Sequence, residues 1–347
     1  GILIANEPIH RTGATFLPPK GFPTVQFDMV VAEDIGLHKF DILSQRGLAK
    51  IKEATELVFQ QHGIALDLHQ IREFKNDPNI KALLSSAQAI GCFYVESPAM
   101  RMLMTKLQVD TYLGLVAASS VIRPGVSSSG MMKEYILRHR NPEMRKNAHP
   151  QLLEIMPETY GVMVYQEDVI KVAHHFGGLS LAEADVLRRG MSGKFRGREE
   201  FEHAKNAFFQ NAIQKGNAIE DVQEIWRQIE SFAGYAFAKG HSASYAVESF
   251  QSLFLKAYYP LEYMTATVNH FGGFYDTEIY LLEAKRHGAA IEPPCIFQSQ
   301  VHSILVEKTI LLGFSLIKGL ESNTIQKTIA FNKIDVCISV SHFMHET

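Results

Sequence analysis

The sequence predicts a mainly α-helical chain with a small α/β piece at its N-terminal end. Two patterns carry that reading. From Ser44 onward, apolar residues recur at three- and four-residue spacing behind recognisable helix caps. Residues 1–43 instead hold short apolar runs broken by turn residues. At 347 residues the chain can form two or more units with a sizeable core, and 46% hydrophobic with 20% charged residues is the balance of an ordinary globular protein.

In chain order, Ile2 to Ala5 and Thr24 to Val31 read as strands, with a turn at Pro18, Pro19 and Gly21 between them. The segment GLHKFDIL, residues 36–43, is also strand-like, and alternation puts Lys39 and Asp41 on one face. A carboxylate and an ammonium shown together can hold a metal and a phosphate, or they form a surface ion pair.

Helices follow. Leu48, Ile51, Ala54 and Val58 make one apolar stripe, Asp77-Pro78 opens a helix toward Ala89, and Ser97-Pro98 opens another lined by Met100, Leu103, Met104 and Leu107. The stripe methionines read as core packing. Arg123-Pro124-Gly125 is a turn before a serine-rich stretch and a helix from Met131 to Arg138, and Arg138, Arg140, Arg145 and Lys146 form a basic cluster. Ser180 with Glu183 is a capping box that starts a helix ending at Arg188-Arg189. Phe201, Ala204, Phe208 and Ala212 mark the next helix, and Val222, Ile225, Trp226 and Ile229 another, with Trp226 read as packing. Lys239-Gly240-His241-Ser242 precedes a helix expected from Ser244 to Tyr258, closed by Pro260. Gly177-Gly178 and Gly272-Gly273 read as helix ends, and beyond Pro293-Pro294 a short strand region is expected.

The densest charge lies in VLRRGMSGKFRGR, residues 186–198. Its last eleven residues carry Arg188, Arg189, Lys194, Arg196 and Arg198, three glycines and no acid. Unpaired cations cost several kcal/mol each when buried, so this is no core segment. It is either a solvated basic loop or a place where forked guanidinium donors hold polyphosphate.

Net charge is only −3, so any nucleic-acid surface is local. Cys92, Cys295 and Cys337 lack metal-ligand spacing and form no disulfide framework, which suits a reducing cytoplasm; they read as small buried hydrophobes. No apolar run is long enough to span a bilayer, so no membrane partner is expected. The opening GILIA, with no initiator methionine, reads as the start of an internal fragment. Adjacent His241 and Ser242 do not make a nucleophile pair, and His174-His175 lacks the spacing of a helical metal site.

Residues 160–260 include YGVMVYQEDVIKVAHHFGGLSLAEADVLRRGMSGK and FAGYAFAKGHSASYAVESFQSLFLKAYYPLEYM. With GCFYVESPAMR, IRPGVSSSGMMKEYILR and FGGFY they resemble, over residues 20 to 320, the bacterial C-family DNA polymerases. These are the α subunits of DNA polymerase III and their error-prone relatives. The resemblance implies a palm remnant over residues 1–43, helical fingers over 44–295 and the start of a helix-hairpin-helix region over 296–330, with 331–347 unassigned. It implies Asp41 as a catalytic carboxylate and ligand of Mg²⁺, and Arg188, Arg189, Lys39 and Lys194 as contacts to nucleotide phosphate. Arg123, Arg196, Arg198, Lys239, His241 and Tyr245 become further nucleotide or nucleic-acid contacts, and the basic cluster at 138–146 faces nucleic acid. Primer-template DNA, deoxynucleoside triphosphates and other replisome subunits are the implied partners. In the hairpin, Gly319-Leu320-Glu321 departs from the family pattern by placing a carboxylate where a second glycine usually stands. The family's two other catalytic aspartates lie in an upstream palm motif absent from these residues. The fragment alone is therefore expected to be inactive. Two other classes stay open: a noncatalytic helical module that binds nucleotide or nucleic acid, and a structural scaffold. The GxxxxGK[ST] phosphate loop of common nucleoside triphosphatases is absent.

Overall fold

A computed structural model describes residues 2–19, 21–40, 46–123, 126–127, 129–190, 198–231 and 238–332. The chain divides into two compact units, Gly1–Arg46 and Gly47–Thr347.

In the first unit, strand Ile2–Ile4 pairs antiparallel with His38–Phe40, setting Leu3 opposite Lys39, and Thr15–Phe16 pairs antiparallel with Thr24–Val25. The strand expected to run to Val31 stops at Val25. Asp28 accepts a hydrogen bond from the Val31 N–H at 2.9 Å and caps a helix, Met29–Asp34, out of the same apolar run. Among the described residues of this unit only Ala32 and Leu37 are buried, while Ile2, Ile4, Phe16, Leu17, Phe22 and Phe40 stand exposed. Asp41 lies outside the described residues.

The second unit is almost wholly helical, as expected. Its longest helix, Lys239–Tyr258, packs against Tyr112–Val121, Pro78–Ser85, Ile71–Phe74 and Pro260–Asn269. Tyr112–Val121 has no polar face: every residue from Leu115 to Val121 is buried. The polar atoms that burial brings inside are paired. Ser120 and Ser242 meet hydroxyl to hydroxyl at 2.6 Å, the Tyr112 hydroxyl donates to Ala243 O at 2.8 Å, and Gln251 Nε2 donates to Leu68 O at 2.9 Å.

The long helix begins five residues before its expected start, so Lys239 to Ser242 form its first turn. A distant acid explains this. Both carboxylate oxygens of Glu167 accept from the Lys239 N–H, at 2.9 and 3.1 Å, and take over the work of a local cap.

The local cap signals are realised. Asp77 accepts from the N–H groups of Asn79 and Ile80, and Ser97 from that of Met100, each with proline at the next position. Met100, Leu103, Met104 and Leu107 are all buried, and so is the Phe208, Trp226 and Ile229 core beneath helices Arg198–Gln214 and Ile219–Ser231. Trp226 lies 5.4 Å from Phe208 and 5.7 Å from Phe209, ring to ring, so it is packing. Leu48 departs from its stripe: Ile51, Ala54 and Val58 are buried, but Leu48 is 49% exposed. Ala290–Glu292 precedes the proline pair and joins Thr309–Leu311 in parallel, with Ile304–Val306 antiparallel on its other side.

Cys92 is fully buried and burial pushes its thiol up to about 12, an inert packing residue. Cys295 is half-buried, and Cys337 falls outside the described residues. No helix among the described residues is long and apolar enough to cross a membrane.

Candidate nucleotide site

Helix Leu181–Gly190 is built to present its C-terminal end. Ser180 and Glu183 exchange the reciprocal bonds of a capping box: the Ser180 N–H reaches Glu183 Oε2 at 2.8 Å, and the Glu183 N–H reaches Ser180 Oγ at 3.3 Å. The Ser180 hydroxyl and N–H hold the Glu183 carboxyl below the usual range. Ala184 and Leu187 anchor the helix to the core. Its last turn carries Arg188 and Arg189, at the end where the helix dipole favours cations.

Both arginines turn onto one carboxylate. Arg188 Nε lies 2.8 Å from Asp185 Oδ1, and Arg189 Nε lies 2.9 Å from Asp185 Oδ2. Asp185 thus fixes two guanidiniums side by side and leaves the turn with an excess positive charge. Among the described residues, Asp185 is the one partner of the Arg188 guanidinium. Gly190 lets the chain leave this turn closely: a Cβ there would lie 2.3 Å from the Phe201 ring of the next helix. Lys194 and Arg196 lie outside the described residues, and Arg198 opens helix Arg198–Gln214.

A second group gathers around the start of helix Lys239–Tyr258. The His241 and Tyr245 rings lie 4.6 Å apart, one turn along the helix; Tyr245 is 5.0 Å from Tyr94 and 5.3 Å, edge-on, from Phe93. The Arg123 guanidinium sits over the Tyr94 ring at 5.6 Å. Three of the expected contact residues, Arg123, His241 and Tyr245, are therefore brought into one cluster of rings and a cation. His241 is exposed and the three other rings are half-buried. Half-exposed rings beside a guanidinium suit the stacking of a base and the holding of a phosphate.

Lys239 is committed elsewhere. Its ammonium pairs with Glu158 and lies 5.3 Å from the centre of the Tyr165 ring. The hydrogen bond from Lys239 holds the Glu158 carboxyl below its ordinary range, while burial pushes the Tyr165 phenol up. Lys39 lies on the exposed strand His38–Phe40, its ammonium 3.5 Å from Met29 Sδ.

Part of the 138–146 basic cluster turns inward. Arg138 donates to Tyr160 O at 3.0 Å and pairs with Glu134 at 3.3 Å, and Arg145 donates to Arg138 O with its guanidinium 4.1 Å from the centre of the Tyr160 ring. These two cations hold the fold, leaving Arg140 exposed and Lys146 on Glu143.

Sequence reading missed Phe93, Tyr94, Asp185, Glu158 and Glu167. Asp185 was discoverable: it stands three and four residues before the arginine pair on a recognised helix. Phe93 and Tyr94 lie in a loop, where periodicity is silent.

Residues 47–216 match the model of the bacterial DNA polymerase III alpha subunit finger domain. The chain is 33% identical over 325 residues to DNA polymerase III subunit alpha of Aquifex aeolicus, covering 93% of this chain and 28% of that protein. It is 33% identical to the Thermus aquaticus DNA polymerase III subunit alpha, covering 92% of this chain and 26% of that protein. An error-prone DNA polymerase of Vibrio vulnificus is 32% identical over 311 residues, 88% of this chain and 30% of that protein. The chain thus spans less than a third of the length of these relatives. Matched on its helical region by the finger domain and along most of its length by these polymerases, the chain belongs to the bacterial C-family DNA polymerases.

Proposed function

We propose that this chain supplies the fingers, and one palm carboxylate, of a template-directed enzyme that adds deoxynucleotides to a primer 3′ end by two-metal phosphoryl transfer. The observation that carries the proposal is the pair Arg188 and Arg189 aligned on Asp185 at the end of a capped, core-anchored helix. A triphosphate carries several negative charges on oxygens that match the guanidinium fork, and charge-assisted bonds of this kind are the strong ones. Asp185 presets the two forks, so little side-chain freedom is lost when the anion arrives.

The cluster of Arg123, Tyr94, Tyr245 and His241 takes the rest of the nucleotide unit: rings for the base, guanidinium for a phosphate. Lys239 reaches a phosphate only by leaving or sharing Glu158. Lys39, Lys194, Arg196 and Arg198 are further phosphate contacts in this reading. Mg²⁺ would bring charge neutralisation at the transferring phosphate, with Asp41 as the ligand from this chain. Among the described residues no three His, Cys, Asp or Glu side chains converge to hold a metal. The work proposed for the described residues is binding and alignment. The proposed parts are palm over residues 1–43, fingers over 44–295 and the start of a helix-hairpin-helix region over 296–330. Primer-template DNA, deoxynucleoside triphosphates and, through regions beyond this chain, other replisome subunits are the proposed partners, in the cytoplasm.

The test is primer extension by the polymerase carrying this chain. Arg188→Ala should weaken deoxynucleotide binding by about 1.5 to 3 kcal/mol, the scale of a hydrogen bond to a charged group. Arg189→Ala should do the same. If both variants change the apparent nucleotide constant and turnover by twofold or less, the turn is a solvated loop and the assignment is wrong.

A further inference from the structure

Tyr94 holds a backbone conformation that an aromatic residue rarely adopts. Its φ is 65°, in the left-handed region, and the Val95 N–H reaches back to Phe93 O at 2.8 Å. A three-residue turn closed in this way around a left-handed centre is the strained kind of γ-turn. The surroundings enforce it. Two residues on, the Glu96 carboxylate accepts from the Gly91 N–H at 2.9 Å and the Phe274 N–H at 2.8 Å, and the Tyr94 hydroxyl donates to Ser119 O at 3.0 Å in the last turn of helix Tyr112–Val121.

Two side chains from separate segments lie against the ring held in this way. Arg123 lies just past the end of helix Tyr112–Val121, and its guanidinium covers the Tyr94 ring at 5.6 Å. Tyr245 lies on helix Lys239–Tyr258, with its ring 5.0 Å away. The Arg side chain carries substantial rotamer freedom, and a fixed ring against its guanidinium removes part of it before a ligand arrives.

We infer that Tyr94 is a positioning residue for a nucleotide, holding the Arg123 guanidinium toward phosphate and the Tyr245 ring toward the base. This rests on the polymerase reading above. The nucleotide unit has two possible sources, an incoming triphosphate or a residue of the DNA strand, and the experiment separates them.

The polymerase carrying this chain is prepared with Tyr94→Phe, Tyr94→Leu and Tyr94→Asn. Asparagine tolerates the left-handed backbone, so it reports loss of the ring even if the leucine variant does not fold. Single-turnover primer extension yields the apparent nucleotide constant and the maximal rate, and fluorescence anisotropy yields primer-template affinity. Loss of the ring should raise one constant at least fivefold and leave the other within twofold. A rise in the nucleotide constant identifies the incoming triphosphate; a rise in the primer-template constant identifies the strand. Tyr94→Phe, which keeps the ring and loses only the bond to Ser119 O, should lie closer to wild type than Tyr94→Asn in the affected constant. A folded Tyr94→Asn with both constants within twofold of wild type overturns the inference. So does a uniform fall in both affinities and rate, which marks a loss of structure, or a phenylalanine variant as impaired as asparagine. If the wild-type polymerase extends primers while Tyr94 variants are unchanged, only this inference falls; if the wild type extends nothing, the polymerase reading falls with it.

Discussion

Glu96 is a single buried carboxylate that joins two segments nearly 180 residues apart, and replacing it by alanine should release both. Oε1 accepts from the Phe274 N–H at 2.8 Å, Oε2 from the Gly91 N–H at 2.9 Å, and the Tyr280 hydroxyl lies 3.0 and 3.1 Å from the two oxygens. Gly273 is part of the design, because a Cβ there would lie 2.0 Å from Oε1. In Glu96→Ala the exposed Phe274 amide finds water, but the Gly91 amide and the Tyr280 hydroxyl, both buried, lose a charged partner. Two such bonds at about 1.5 to 3 kcal/mol each, reduced by local relaxation, make a cost of about 3 to 5 kcal/mol. Glu96→Gln keeps the shape but turns one acceptor into a donor facing a donor, at about 1.5 to 3 kcal/mol. Native-state hydrogen exchange read by mass spectrometry is the assay, because it reports the Gly91 amide itself. A cost of about 3 kcal/mol corresponds to roughly a hundredfold loss of protection. A Glu96→Ala chain that keeps Gly91 protected within threefold, or loses less than about 1 kcal/mol in urea unfolding, would refute the reasoning.

Asp41→Asn in the polymerase carrying this chain should lower turnover by about four orders of magnitude, roughly 5.5 kcal/mol, with DNA binding kept; an active variant would reduce Asp41 to a surface residue. Lys256 is fully buried and pairs with Glu283 at 2.7 Å, so Lys256→Met should cost about 3 kcal/mol in urea unfolding by taking away the buried cation and leaving the carboxylate to His287 and Arg286. Burial opposes ionisation of Glu283, but the His287 hydrogen bond and the Lys256 charge prevail and hold it at about 2. Its stabilising contribution is therefore present above the ordinary value of 4.5 and lost as pH falls from there toward 2. Lys256→Met should flatten the acid limb, and an unchanged limb would contradict the pairing. At Glu248 burial prevails instead, pushing the carboxyl up to about 7 against the pull of Lys50. Between pH 4.5 and 7 the folded chain keeps a proton that the unfolded chain has released, so stability falls as pH rises through that window. Glu248→Gln should remove that slope in melting curves, and a slope as steep as wild type would disprove it. Gly177→Ala places a Cβ 2.1 Å from the Phe208 ring and should cost about 1 to 3 kcal/mol in urea unfolding; a neutral result would mean that the ring moves freely.

Local rules were enough wherever the decisive contact is local. Asp77-Pro78, Ser97-Pro98 and Ser180 with Glu183 announce their helices because cap and capped amide are at most three residues apart. Resemblance, not pattern, pointed to Arg123, His241 and Tyr245, which the fold does gather into one cluster. Three features were illegible for physical reasons. Met29–Asp34 reads as strand because Met-Val-Val suits either state, and the choice falls to the Asp28 cap. Arg138 and Arg145 read as surface charge, since nothing in their order reveals the Tyr160 carbonyl and ring that take them inward. Tyr94 gives no signal at all: its left-handed backbone is imposed by Glu96 and Ser119, and strain of that kind exists only once the tertiary structure does.

The cap that Glu167 provides to Lys239 has a consequence for how sequence can drift. A helix started by its own preceding residue loses its first turn when that residue changes. This one takes its starting point from an acid 72 residues earlier in the chain. Substitutions at Ala238 should therefore be nearly silent, while a change at Glu167 should fray the turn that carries His241. Helices Gln166–Lys171 and Lys239–Tyr258 are thus heritable as a pair, and a chimera that swaps Lys239–Tyr258 between relatives must carry the first helix with it to keep the turn that holds His241.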